Sequence, residues 1–391
     1  MRTTGLRLSS RVSGEKPSPV TALLATKRRL LAQGRDLIDL SLGDPAFPPP
    51  PVAVEAVAEA FADPSMSRYG YQVGYAPFRE AVARYMSRRF GVEVNPHEEV
   101  LPVIGAMDGL THLALVVTDP GDSILLPDPS FLVYQGARLS AAARVHSCPL
   151  TAESQFLLPF DELPVEVLED ARLAYLNYPN NPTGAVAPLE YLERAVDLCG
   201  EFGIVLAHDA AYIEVGFDGY RAPSILQVPG ARDVAIEFHS LSKTFAMSGW
   251  RIGWAVGNRS LIEALASLKS YLDTGPLLAV QRAAVPVLDQ AAALSRSVVD
   301  AYGERHRAAA AALEQQRIPY WNTSASPFLW VTVPPDQETG SWADHLLEEA
   351  GVAVWAGTAF GPAGDGFVRL ALAESPARIT EAVERMARYY R

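Results

Sequence analysis

The stretch Ser240-Leu-Ser-Lys-Thr-Phe-Ala-Met-Ser-Gly-Trp-Arg-Ile-Gly253 sets one lysine, Lys243, among three small hydroxyl residues, Ser240, Ser242 and Thr244. Arg251 and Gly253 follow. The apolar run Val234–His239 before it reads as a strand leading into the stretch. A lysine at the end of a buried strand can lose its proton and act as a nucleophile or Schiff-base donor. Hydroxyls with a nearby arginine form a seat for phosphate. Lysine and phosphate seat together point to pyridoxal phosphate, which needs both. Taken alone, a lysine among serines also suits a solvated loop, so the rest of the chain has to decide.

Outward from that stretch, strands and helices alternate. Apolar runs occur at Val100–Ile104, Ser123–Leu126, Ala143–Cys148, Arg172–Asn177, Ile204–His208, Val234–His239 and Arg251–Val256, with helical patterns such as Asp108–Val117 and Leu189–Phe202 between most of them. The alternation predicts an α/β fold with a mostly parallel seven-stranded sheet between helices. Ligands of such sheets sit beyond the carboxyl ends of the strands.

The notable residues fall mainly at those ends. Gly105-Ala-Met107 follows the first strand and opens a helix, where backbone N–H groups suit phosphate. Pro127-Asp-Pro-Ser-Phe131 follows the second. Asn177-Tyr-Pro-Asn-Asn-Pro-Thr-Gly184 is a turn sequence. Ile204-Val-Leu-Ala-His-Asp-Ala-Ala-Tyr212 puts Asp209 at the end of an apolar strand, where a carboxylate needs a partner. His208 alternates to the other strand face and reads as a packed core histidine. Near the C-terminus, Gly366-Phe-Val-Arg-Leu-Ala-Leu372 carries Arg369.

In this order and spacing, the motifs resemble those of the class I/II pyridoxal-phosphate-dependent aminotransferases, the aspartate-aminotransferase-like fold type I, over essentially the whole chain. The resemblance implies roles residue by residue. Lys243 is the Schiff-base lysine and later the general base. Asp209 pairs with the pyridine nitrogen, and Tyr212 and Asn181 bond the ring hydroxyl oxygen. Phe131 stacks on the ring. Gly105, Ala106, Met107, Ser240, Ser242 and Arg251 hold the phosphate, and Tyr69 reaches the phosphate of the neighbouring subunit of a homodimer. Arg369, with Asn181 and the backbone at Gly43, takes the substrate carboxylate. Tyr271, Asp273 and Thr274, in a loop expected over Lys269–Pro276, are candidates for substrate contact.

Four positions depart from the family pattern. Met107 stands where some aspartate-specific relatives have a lysine, which counts against an acidic substrate held that way. Ala246 replaces a common asparagine. Trp355 and Ala356 replace smaller or stiffer residues and point to a specialised pocket.

The pattern changes after about Pro286. A long amphipathic helix (about 290–316), the strand Pro327–Val333, a helix over Ser341–Ala350, a further strand and a final helix over Ser375–Tyr390 follow. Together with the N-terminal segment they read as a smaller α+β domain built from both chain ends. The expected division is 1–44 as N-terminal arm and part of the small domain, 45–285 as the large cofactor-binding domain and 286–391 as the small domain. Residues 1 to about 14 read as a loose arm, and Pro19–Gln33 as an amphipathic helix.

Composition limits the alternatives. A net charge of −12 argues against nucleic acid or an anionic membrane as partner. The two cysteines, Cys148 and Cys199, sit in no metal-binding spacing. No metal site, no signal peptide and no membrane span are expected, and a cytoplasmic setting follows. The reading is a transaminase moving an amino group between an amino acid and a 2-keto acid. Another pyridoxal-phosphate reaction on the same scaffold (β-elimination, cyclisation or decarboxylation) stays open. A non-catalytic cofactor-binding regulatory module is the remote alternative, since the chain shows no added DNA-binding domain.

Overall fold

A computed structural model describes residues 9, 19–45, 47–70 and 73–390 of the chain. The arm expected over residues 1–14 therefore lies outside the described residues, apart from Ser9. The first helix, Pro19–Ala32, leads into strand β1 (Ile38–Asp39). Seven further strands then form one sheet: β2 (Val100–Val103), β3 (Ser123–Asp128), β4 (Arg144–Pro149), β5 (Ala171–Asn177), β6 (Val205–Asp209), β7 (Ala235–Ser240) and β8 (Gly253–Gly257). Their order is β2-β8-β7-β6-β5-β3-β4. Every pairing among β3 to β7 is parallel. Only β8 runs antiparallel to its neighbours β2 and β7. The physical cause is the connection: parallel strands need a crossover that spans the sheet, and the link from Ser240 to Gly253 is a short turn that reverses the chain. That turn is the lysine stretch.

The strands are apolar on both faces because both faces are covered. Along β3, Leu125 packs with Phe78, Leu192 and Ala195, which come from the helices Ala76–Phe90 and Leu189–Phe202. Its neighbours Ile124 and Leu126 pack the other way, with Leu110, Leu113, Ile262 and Leu265 from the helices Ala106–Val117 and Arg259–Leu272. Alternation along one strand thus supplies two cores.

The C-terminal part builds a four-stranded antiparallel sheet from β9 (Tyr320–Trp321), β10 (Phe328–Thr332), β12 (Trp355–Ala356) and β13 (Phe367–Ala371), in the order β12-β13-β10-β9. Strand β11 (Val352–Ala353) pairs with β1, in the register Ile38 with Val352. The Ala371 N–H also donates to the Leu40 carbonyl at 2.8 Å. The residues just before Leu42 are therefore stitched to the C-terminal strands.

Two expectations need correction. Lys269–Pro276 is not wholly a loop, because Lys269–Leu272 form the last turn of the helix Arg259–Leu272. The helix Leu278–Asp289 is also absent from the sequence reading. Pro286 suggested a break there, but the helix runs through it to Asp289, without the i−4 hydrogen bond that its missing N–H would have made. The long helix follows at Ala291–Gln316.

Candidate active site

The lysine is placed by a capped turn at the end of β7. Ser240 Oγ accepts the Ser242 N–H at 3.1 Å and starts the single turn Leu241–Thr244 that carries Lys243. Lys243 Nζ donates to the Gly43 carbonyl at 2.8 Å. Burial pushes the Lys243 pKa down to about 8, with Asp44 opposing the shift and Arg369 and Arg251 adding to it. A depressed lysine pKa is what a nucleophilic amine or general base at neutral pH requires.

One end of the cleft suits a phosphate. Gly105 has a φ of 74°, and the helix Ala106–Val117 begins directly after it, so unpaired N–H groups of the first turn face the cleft beside Ala106 and Met107. Gly253 lets the chains close up: a Cβ there would lie 2.4 Å from the His239 carbonyl oxygen and 3.2 Å from the Ala106 nitrogen. Arg251 has a left-handed backbone and donates through Nη1 to the Ser248 carbonyl at 2.8 Å. Asp108 accepts the Ile104 N–H at 2.9 Å, which fixes the turn into the helix.

Asp209 lies at the bottom, buried at the end of β6. Tyr134 Oη donates to Asp209 Oδ2 at 2.9 Å, and the Ala211 N–H donates to Oδ1 at 3.1 Å. Burial raises the Asp209 pKa, while the Tyr134 hydroxyl and the Ala211 N–H pull it down. Among the described residues no cation is ion-paired with this carboxylate. Asn177 Nδ2 donates to the Asp209 carbonyl at 2.8 Å and accepts the Asn181 N–H through Oδ1 at 2.8 Å, which couples β5 to β6. Asn181 Nδ2 lies 3.4 Å from Tyr212 Oη. Burial pushes the Tyr212 pKa up, so this phenol stays a donor. His208 points away from the cleft and bonds Glu237 at 2.8 Å, as its place on the strand predicts.

The third wall comes from the C-terminal sheet. Arg369 Nη1 donates to Asn181 Oδ1 and Nη2 to the Ser41 carbonyl, both at 2.7 Å. The guanidinium lies between rings, 4.2 Å from the Phe328 centroid and 4.8 Å from that of Phe360. Its buried Nε has no hydrogen-bond partner among the described residues. Burial pulls the Arg369 pKa down to about 10, which leaves it cationic at neutral pH.

These groups line one cleft of about 320 Å³, within the usual range for a small-molecule site. Gly43, Ala106, Met107, Phe131, Asn181, Asp209, Tyr212, Ser240, Ser242, Lys243, Arg251 and Arg369 all border it, and Gly105 adjoins it through Arg251. Tyr69 does not border its own chain's cleft and is 72% exposed. Tyr271, Asp273 and Thr274 do not border it either. Asp273 instead joins Asp108 around the buried Lys269 ammonium, at 2.8 and 2.6 Å. His112 stands beside this cluster, and the lysine supplies the positive charge that a metal would bring.

Sequence reasoning missed Tyr134 and the apolar wall residues Leu42, Ala359 and Phe360. Each reads as core or loop until the chain is folded. The only signal for Tyr134 was its place three residues after Phe131, one turn into a helix.

The donor set fits pyridoxal phosphate. It combines a buried carboxylate lacking a cation, a low-pKa amine, and a helix N-terminus beside an arginine. The family described as aminotransferase class I and II matches residues 35–386. Among curated relatives, the LL-diaminopimelate aminotransferase of Desulforudis audaxviator is 42% identical over 94% of this chain and 93% of its own length. Among solved structures, substrate-bound BacF from Bacillus subtilis superposes with a TM-score of 0.94 at 33% identity, covering 98% of both chains. An aspartate aminotransferase double mutant from Thermus thermophilus gives 0.91 at 31% identity, covering 98% of this chain and 99% of its own.

Proposed function

The chain belongs to the class I and II aminotransferases, and from that membership we propose how its own residues divide the work of moving an amino group from an amino acid to a 2-keto acid. The enzyme depends on pyridoxal phosphate, which supplies an electron sink that acidifies the α-proton of a bound amino acid. Lys243 would hold the cofactor through its Nζ, and its neutral amine would serve as general base for the substrate α-proton. Its pKa of about 8 keeps a useful fraction of neutral amine at physiological pH.

Asp209 would accept the ring N–H and hold the positive charge there, Tyr212 and Asn181 would donate to the ring hydroxyl oxygen, and Phe131 would cover one ring face. The phosphate is held by the Gly105–Met107 backbone together with Ser240, Ser242 and Arg251. Arg369 takes the substrate carboxylate, a task suited to a planar guanidinium, with Asn181 and the Gly43 backbone beside it.

We further propose a homodimer in which Tyr69 reaches the partner's phosphate seat. The exposed apolar residues Val73, Met107, Tyr271, Leu272 and Leu277 support a buried face in that region. The proposed large lobe is 45–285. The small lobe is 286–391 completed by 1–44, with the second boundary in the last turn of the helix Leu278–Asp289. The setting is cytoplasmic, which agrees with two buried free thiols at Cys148 and Cys199 and with the lack of any membrane-crossing helix among the described residues.

The carrying observation is that Lys243, from the turn after β7, Asp209, from the end of β6, and Arg369, from the middle of β13, border one cleft. The test is a half-reaction. One amino acid is added to the cofactor-loaded protein without a keto acid. The visible absorbance should bleach as one equivalent of 2-keto acid appears. Ammonia and pyruvate released from a β-substituted amino acid, without that stoichiometric bleaching, would instead establish elimination.

A further inference from the structure

The cleft has more wall than the transfer chemistry uses. Its polar side chains all face the cofactor seat or the carboxylate anchor. Among the described residues its cations are Lys243, Arg251 and Arg369, each with the task proposed above, and its one acid is Asp209, at the bottom beneath the ring seat. The apolar lining toward the carboxylate anchor includes Leu42, Trp355, Ala359 and Phe360.

Register fixes where this wall stands. Trp355 on β12 is directly opposite Arg369 on β13. Directly paired residues of an antiparallel ladder project to the same face, so the indole lies beside the guanidinium. Phe360 meets the same guanidinium at 4.8 Å and the Trp355 ring edge-on at 6.2 Å. An amino acid whose carboxylate is held by Arg369 must therefore run its side chain along these rings.

The wall is also rigid. The Phe360 carbonyl accepts the Ser130 N–H at 2.9 Å, and the Ala363 N–H donates to Asp128 Oδ1 at 3.1 Å. Gly357 and Gly364 pack backbone to backbone, and a Cβ on Gly357 would fall 1.9 Å from the Gly364 oxygen. Trp355 and Phe360 are thus anchored on both sides of the turn that joins them.

Resting on the transaminase reading, we propose that the preferred amino donor is a 2-amino acid with an aromatic or branched apolar side chain, and that Trp355, Phe360 and Leu42 set this preference. A distal carboxylate or ammonium would lose water here without gaining a counter-charge, whereas an apolar side chain gains by burial. The proposal departs from the activity named for the diaminopimelate relatives, whose donor is charged at both ends.

The test is the half-reaction of the cofactor-loaded, full-length protein with L-phenylalanine, L-leucine, L-glutamate, L-aspartate and LL-diaminopimelate. The expected result is a kcat/KM for phenylalanine or leucine at least about tenfold above every charged donor, in line with what one good pocket contact supplies. A charged donor equal to or better than both overturns the proposal and leaves the transaminase reading intact. No conversion with any amino acid sinks the transaminase reading itself. Two variants read the wall directly. Trp355→Ala should lower the phenylalanine-to-alanine ratio of kcat/KM at least about fivefold, and Trp355→Phe should restore most of it. Leu42→Arg should raise glutamate relative to phenylalanine by about tenfold or more. Unchanged ratios in both overturn the role of the wall.

Discussion

Lys243 Nζ and the Gly43 carbonyl oxygen lie 2.8 Å apart, although two hundred residues separate them in the chain. The contact joins the turn after β7 to the segment leading out of β1, and so joins the cofactor seat to the substrate side of the cleft. Ser248 Oγ repeats the link by donating to Asp44 Oδ1 at 2.5 Å. The reactive amine is thus held where an incoming carboxylate and amine must pass, with a neutral acceptor that does not lock in its charge.

Lys243→Ala removes the amine proposed as both covalent anchor and general base. Transamination should fall by at least about 10³-fold, since positioned base catalysis alone contributes 10²–10⁴. Borohydride treatment should then leave no cofactor attached to the chain. Ordinary turnover by this variant would end the assignment.

The Lys243 pKa makes a prediction with a definite sign. The folded value is about 8, against 10.5 for an ordinary lysine. The neutral amine is the reactive form, so capture of pyridoxal phosphate by cofactor-free protein should quicken with pH, with a midpoint near 8. Between pH 8 and 10.5 the unfolded chain binds the extra proton, so the cofactor-free protein should also gain stability with pH across that window. Stopped-flow capture rates and thermal melts at stepped pH test the two halves separately.

Tyr134→Phe keeps the ring that stacks on Tyr175 at 4.9 Å and deletes only the hydroxyl bonded to Asp209. The hydroxyl holds the Asp209 pKa down against burial. Its loss should move the acid limb of the kcat profile to higher pH. A hydrogen bond to a charged group is worth about 1.5–3 kcal/mol, so kcat should fall roughly 10- to 100-fold at that limb. KM should change little, because Tyr134 does not border the cleft. A purely structural role for Tyr134 would lower stability without moving the pH profile.

Arg369→Lys keeps a positive charge but cannot span Asn181 and the Ser41 carbonyl together, nor lie flat between Phe328 and Phe360. The kcat/KM for amino acids should drop at least about 10²-fold, mostly through KM, because charge-assisted hydrogen bonds are worth about 1.5–3 kcal/mol each. Cofactor absorbance at saturation should be retained, which separates substrate anchoring from cofactor seating.

Gly105→Ala places a methyl group 2.6 Å from Arg251 Nη2 on a backbone with φ of 74°. Cofactor affinity should weaken about tenfold or more, since left-handed strain alone costs of order 1 kcal/mol and the arginine must also move. Titration of cofactor-free protein with pyridoxal phosphate measures it.

The sequence by itself determined the sheet and picked out residues that the fold brings to one cleft. Buried parallel strands carry unbroken apolar runs, so β3, β5 and β6 show in one dimension, as do the helices between them. Lys243, Asp209, Asn181 and Arg369 stand out because a charged or amide group at the end of such a run needs a reason. Only tertiary structure decided the rest. The reversal of β8 depends on a link that folds back on itself and pairs Ser240 with Gly253. Tyr134 became a partner of Asp209 only when its helix packed against β6, because a buried tyrosine in sequence reads as core. The helix Leu278–Asp289 was hidden by Pro286, which sits inside it despite lacking the N–H for an i−4 bond. The pocket's apolar wall needed the register of β12 on β13, which sets Trp355 opposite Arg369. Local pattern reports which faces must be buried, and contacts between distant segments settle what those faces enclose.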